Sequence, residues 1–154
     1  MAEIRNAGER VTDARERLAR ESDVWLATSS ESRPWLVPLW FLWHDSKVFL
    51  ATSPATMTAK NIESHPTVRL AFQSTEDVLI LDGTAVTKRV SDVAADMLDS
   101  YAAKYGGSDP RAWGDVIIIA VSPDRVQAWH SEDEFPGRVI MRDGQWVDFH
   151  PAGR

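Results

Sequence analysis

Apolar residues along this chain switch between two periods. In VTDARERLARES, Val11, Ala14 and Leu18 recur at three- and four-residue intervals among charges, which predicts a short amphipathic helix within residues 1–21. The spacing then falls to two. DVWLATS, WLVPLWFLW and KVFLAT are rich in aromatic and branched residues and are separated by SESRP and HDSK, so they read as a meander of hairpins. Pro38 lacks an N–H for a ladder and predicts a sheet edge or a bulge. TVRLAFQ alternates Val68, Leu70 and Phe72 with Arg69 and Ala71, and DVLILDGTAVTKRV continues as a long strand that bends at Gly83. Helical spacing returns in SDVAADMLDSYAAKYGG. Ser91 reads as its N-cap, Ala94, Met97, Leu98, Tyr101 and Tyr105 share one face, and a glycine pair stops it. DVIIIAVSP, DRVQAWH and RVIMRDGQWV end the pattern as strands, the last closed by an Asp-Gly turn.

Six to eight strands with two or three helices that do not alternate with them predict a mainly β, α+β fold, a small antiparallel barrel closed or partly closed. No repeat, low-complexity tract or long linker divides the 154 residues. They read as one domain, with the barrel over 22–147.

Charge narrows the partners. Seventeen Lys and Arg against 23 Asp and Glu leave a net charge of −6, which argues against nucleic acid or an anionic membrane as the main partner. With no cysteine there is no disulfide framework, thiolate metal site or Cys nucleophile. The charged N-terminal segment has no signal-like apolar stretch, and no run of about eighteen apolar residues occurs. The expectation is a cytoplasmic protein without a membrane span.

Self-sufficient catalysis finds little support. His44, His65, His130 and His150 show no metal-ligand spacing, so no metal is expected, and HSEDE at 130–134 reads as a solvated turn. Asp82 reads as a bend residue. There is no nucleophile elbow and no glycine-rich phosphate loop. No catalytic residue emerges, and any reaction would need a bound cofactor.

One stretch stands apart. ATSPATMTAKNIESHPTVRLAF, residues 51–72, joins a strand end, a hydroxyl-rich loop (Thr52, Ser53, Thr56, Thr58) and the start of a helix carrying Lys60 and Asn61. Unpaired N–H groups and the dipole of a first helical turn favour an anion, and hydroxyls add donors. The same residues also describe an ordinary capped helix in which Thr56 or Ser53 serves the backbone and Lys60 is solvated. Both readings stand at this point.

VFLATSPATMTAKNIESHPTVRLAF, then DVLILDGTA, then RVQAWHSEDEFPGRVIMRDGQW resemble, in that order, the pyridoxamine 5′-phosphate oxidase-like proteins of the flavin-binding split-barrel superfamily, in the style of its flavin- or deazaflavin-dependent oxidoreductases. The resemblance spans about residues 22–147. It implies an antiparallel split β-barrel of Greek-key type, forming a homodimer with the cofactor in a groove at the subunit interface. It implies that Leu36, Val37, Pro38, Leu39, Trp40 and Phe41 line the ring system and that Thr52 contacts the cofactor. Asp77 falls near a polar ring-contact position, and Trp129 and Arg138 match residues that the opposite subunit supplies. Met57 and Thr58 stand where the family usually has an Arg-Lys pair on the phosphate. This leaves Lys60, with Thr56, Thr58 and Asn61, as the phosphate ligands.

The implied activity is hydride transfer between FMN, or the deazaflavin coenzyme F-420, and a small organic substrate. EFPGR keeps only the last arginine of the family's substrate-phosphate run, so oxidation of pyridoxamine phosphate itself is not expected. The acidic tail of F-420 needs further cations, for which Arg33, Lys47, Lys88 and Arg89 are available. Two other readings remain open: a non-catalytic carrier of flavin, deazaflavin or haem, and a structural dimer with a vestigial groove.

Overall fold

The computed structural model describes residues 3–147, which form three α-helices and nine strands. Helix α1 (Ala7–Arg20) begins a turn earlier than its apolar spacing suggests, because Asn6 and Glu9 form a reciprocal capping box. It buries Val11, Ala14 and Leu18 as expected, together with Arg10 and Arg17. The chain continues as β1 (Asp23–Ser29), β2 (Pro34–Trp40), β3 (Leu42–His44), β4 (Lys47–Thr52), α2 (Met57–Ser64), β5 (Thr67–Ala71) and β6 (Val78–Arg89). It then forms α3 (Ala95–Lys104), β7 (Ile117–Trp129), β8 (Val139–Arg142) and β9 (Gln145–Trp146). His150 lies outside the described residues. No helix among the described residues is long and apolar enough to cross a membrane.

All strand pairs are antiparallel, in the order β2-β1-β5-β6-β7-β4-β3, with β8 and β9 added beside β7. The return of β5 to β1 gives the Greek-key crossing. β2 and β3 lie at the two ends of the path and do not pair with each other, so the barrel is split. Leu26, Leu50, Leu70, Leu81, Ile119 and Val126 fill its interior, and Leu18 of α1 closes over them.

Three local expectations change. WLVPLWFLW is two strands, because Phe41 turns fully into the core and its N–H is shared between the Ser22 carbonyl at 3.4 Å and the Tyr105 hydroxyl at 2.9 Å. The two last long apolar runs are one strand, β7, which pairs first with β4 and then with β8 on the same side while β6 follows it on the other. Ser91 lies in a 3-10 turn, Val90–Asp92, and does not cap α3, which starts after Ala94 with no side-chain cap. Packing of Met97, Leu98 and Tyr101 against Leu42 and Ile118 holds that helix instead. Gly106 and Gly107 end it with φ of 64° and 93°.

Gly83 sits at the register shift between β6 and β7. A Cβ there would lie 2.4 Å from the Ser122 carbonyl oxygen and 2.9 Å from Val121 Cγ1. The first of these is backbone and cannot rotate away. Gly83→Ala is therefore expected to cost about 2–3 kcal/mol, read as a lower urea midpoint at unchanged slope. A midpoint equal to the parent's would mean that the strands separate at that bend without loss.

Candidate functional site

Thr52 ends β4 opposite Ile117. Beyond it the chain turns sharply into α2. The Thr56 hydroxyl donates to the Ser53 carbonyl at 2.9 Å and accepts the Ala59 N–H at 3.2 Å, so Thr56 is the N-cap. Asn61 is buried and donates from Nδ2 to Thr28 Oγ1 at 3.1 Å, tying α2 to β1. Thr58 is buried beside it. Lys60 is exposed, and its ammonium has no partner among the described residues.

The β1–β2 hairpin meets the first turn of α2. Between them lies a cavity of about 310 Å³ lined by Ser30, Ser32, Arg33, Trp35, Met57 and Asn61. The hairpin is closed by the Ser30 N–H donating to the Arg33 carbonyl at 3.0 Å. The Arg33 guanidinium has no partner among the described residues. A free cation thus shares a cavity with Met57 of the first turn of α2. Sequence alone offered Arg33 only as one of four cations for a tail, because nothing local reveals that the hairpin folds against α2.

The six residues of the second strand divide. Leu36, Pro38 and Trp40 point outward, where Trp25 lies opposite Pro38. Leu36 is 58% exposed and Trp25 and Trp40 are each 45% exposed, an apolar outer face. Val37 and Leu39 turn inward against the core, and Phe41 lies within it. Trp40 stacks flat on Tyr105, with ring centres 4.5 Å apart. Lys104 anchors that corner. Its Nζ donates to the carbonyls of Glu21 at 2.6 Å and Phe41 at 2.9 Å, and lies 4.1 Å from the centre of the Phe41 ring. Burial lowers the Lys104 pKa to about 8, and the nearby Glu21 offsets part of that shift.

Asp77, Trp129 and Arg138 gather at the other end of the sheet. Trp129 pairs with Val78 and meets Phe135 edge-on at 5.3 Å. The Arg138 guanidinium covers the Phe135 ring at 4.0 Å, donates from Nε to Gln127 Oε1 at 3.0 Å and from Nη1 to the Phe135 carbonyl at 3.0 Å. Those partners, rather than the acids of its own turn, set its position. Asp77 is engaged by Arg5 at 3.1 Å and, through its carbonyl, by Arg17 at 2.8 Å.

In the turn at 130–134, Glu132 and Asp133 are exposed, as expected of a solvated turn, but Glu134 is not. Glu134 has no exposed side-chain surface. Its carboxylate accepts the Arg5 N–H at 2.8 Å, Arg5 Nη2 at 2.9 Å and the His130 N–H at 3.0 Å, with His130 Nε2 at 2.7 Å. Burial pushes its pKa up, but these hydrogen bonds outweigh it and hold the carboxyl down at about 2. Within one chain, Thr52, which leads into the helix carrying Lys60, lies opposite Ile117 at one end of β7, whereas Arg138 bonds Gln127 near the other end.

Residues 12–130 match the family model for pyridoxamine 5′-phosphate oxidase. No curated protein matches. Among solved structures, an F420 reductase is 22% identical with a TM-score of 0.59, over 72% of this chain and 93% of that one. HutZ, the heme storage protein from Vibrio cholerae, is 18% identical with a TM-score of 0.66, over 77% and 94%. A FAD-binding protein from Mesorhizobium loti is 14% identical with a TM-score of 0.56, over 75% and 90%. At these identities the likeness shows the fold alone.

The buried carboxylate makes a testable demand on acid stability. The folded pKa of Glu134 lies below its ordinary value of 4.5, so its contribution is complete above that value and is lost as pH falls toward about 2. Urea midpoints measured from pH 7 to pH 2 should fall more steeply for the parent than for Glu134→Gln, and the two curves should converge in acid. Parallel curves would place the acid-sensitive interaction elsewhere. At neutral pH, Glu134→Ala leaves Arg5 with only Asp13 and Asp77 as partners and should cost about 1.5–3 kcal/mol.

Proposed function

This chain belongs to the pyridoxamine 5′-phosphate oxidase family, and on that footing we propose that it is an oxidoreductase that binds FMN or the deazaflavin coenzyme F-420 and acts on a small organic substrate. The observation that carries this reading is the meeting of an apolar wall with unpaired cations. Trp35 and Met57 line a cavity with Arg33, and Lys60 stands free on the adjoining helix. Those residues fit a flat ring system with an anionic tail. When bound, such a cofactor supplies a ring that accepts and donates hydride.

The protein's part is to hold and to shield. Arg33 and Lys60 take the anionic tail, and the Asn61–Thr28 bond fixes the loop that presents it. Trp40, immobilised on Tyr105, screens the ring from water. Trp25, Leu36, Pro38 and Trp40 form the face on which a second copy packs. That homodimer brings Trp129 and Arg138 of one subunit toward the cofactor held by the other, which accounts for their distance from Lys60 within one chain.

A second reading is a carrier of flavin, deazaflavin or haem without turnover. It is favoured by one observation: Thr56 caps a helix, Asn61 holds Thr28 and Asp77 pairs with Arg5, which leaves these polar groups engaged in structure. The absorbance spectrum of protein purified from its native host separates the two. A flavin or deazaflavin spectrum bleached by a reducing substrate supports the enzyme, an unbleached one the carrier, and a Soret band haem.

Binding tests the tail contacts directly. Arg33→Ala and Lys60→Ala should each weaken the cofactor by roughly 1.5–3 kcal/mol, the worth of a hydrogen bond to a charged group. Riboflavin, which lacks the phosphate, should bind parent and variants alike. Equal FMN and F-420 affinities in all three proteins would overturn the assignment. Light scattering should give a dimer at micromolar concentration, and mixed dimers of Lys60→Ala with Arg138→Ala subunits should keep one tight site of two.

A further inference from the structure

We propose that His44, Asp45 and Asp96 form a binding site for a divalent transition-metal ion where the β3–β4 hairpin meets α3. His44 ends β3, Asp45 is the first residue of the turn after it, and Asp96 lies in the first turn of α3. His44 Nε2 is 3.4 Å from Asp45 Oδ2 and 3.3 Å from Asp96 Oδ2. The three ligand atoms all lie within 4.8 Å of one another.

A single hydrogen bond from the imidazole does not engage both carboxylates. A ring nitrogen carries at most one proton, so it donates one well-formed bond, whatever the charge of the imidazole. Two carboxylates nevertheless converge on the same nitrogen, so the imidazole can serve only one of them, and the other turns to water, to which the Asp45 and Asp96 side chains are open at 83% and 70% exposure. A cation engages both at once. It takes the nitrogen lone pair and one oxygen from each aspartate, and it neutralises both charges.

The spacing agrees with that chemistry. A metal with ligand bonds of about 2.0–2.2 Å in tetrahedral geometry sets its ligand atoms about 3.3–3.6 Å apart. Two of the three separations match without movement. The imidazole is also positioned in advance: its side chain is only 20% exposed and its ring meets Phe49 edge-on, with centres 6.3 Å apart. Three protein ligands leave a further position for water. One imidazole with two carboxylates suits Zn²⁺ or Co²⁺ better than Mg²⁺ or Ca²⁺, which prefer oxygen alone. The histidine spacing in sequence hid this site, because its third ligand comes from a helix 52 residues away.

The site does not depend on the cofactor reading, and its test does not involve a flavin. Protein stripped with a chelator is titrated with Zn²⁺ and with Co²⁺ by calorimetry, with the visible band of Co²⁺ as a second readout. We expect one equivalent per chain, roughly 100-fold weaker binding in His44→Ala and roughly tenfold weaker in Asp96→Asn. Because the ion joins the hairpin to α3, it should raise the melting temperature of the parent, and of neither variant at the same concentration. Asp96→Asn keeps the hairpin intact, so it decides the matter if His44→Ala folds poorly. Binding weaker than about 1 mM, or tight binding that survives in both variants, would overturn the proposal.

Discussion

The antiparallel ladder between β6 and β7 is the constraint on which the rest of this fold depends. All 12 residues of β6 find partners along β7, from Val78 opposite Trp129 to Arg89 opposite Ile117. The pair bends where Gly83 approaches the Ser122 carbonyl too closely for any side chain. Beyond that bend β7 exchanges β4 for β8, so one strand serves two halves of the barrel. The same ladder sets the distance between the two groups of site residues. Thr52 and α2 belong to the Ile117 end, and Asp77 and Arg138 to the Trp129 end.

Much of this was legible in the sequence because it is local. Alternation of Val68, Leu70 and Phe72 with polar neighbours needs only a sheet with one wet face, and Gly83 marked its bend correctly. Val11, Ala14 and Leu18 found their helix face. The failures share a cause. Phe41 is as apolar as its neighbours, so periodicity does not show that the strand breaks there to bury it. Ser91 has the chemistry of a cap, but α3 is held by what Met97 and Tyr101 pack against.

The candidate site was legible in type more than in arrangement. Thr56 does what a threonine before a helix usually does, and Asn61 turns inward rather than toward solvent. Glu134 looked like one acid among several in a polar turn. Its burial follows from Arg5, 129 residues away, and no window of sequence contains both. Arg33 meets Met57 for the same kind of reason, across a hairpin that the Asn61–Thr28 bond ties to α2. Contacts of this kind depend on the closed topology, and periodicity carries no record of it.

Pro38 has a consequence for how this protein avoids uncontrolled assembly. β2 borders solvent, and a bare strand edge invites the corresponding strand of another molecule to extend the sheet, the first step toward fibrils. Proline at the middle of that edge removes a donor from the template. An incoming strand would meet a gap where its carbonyl needs an N–H. The tryptophans beside Pro38 present side chains and no ladder groups, so packing against them does not by itself extend the sheet.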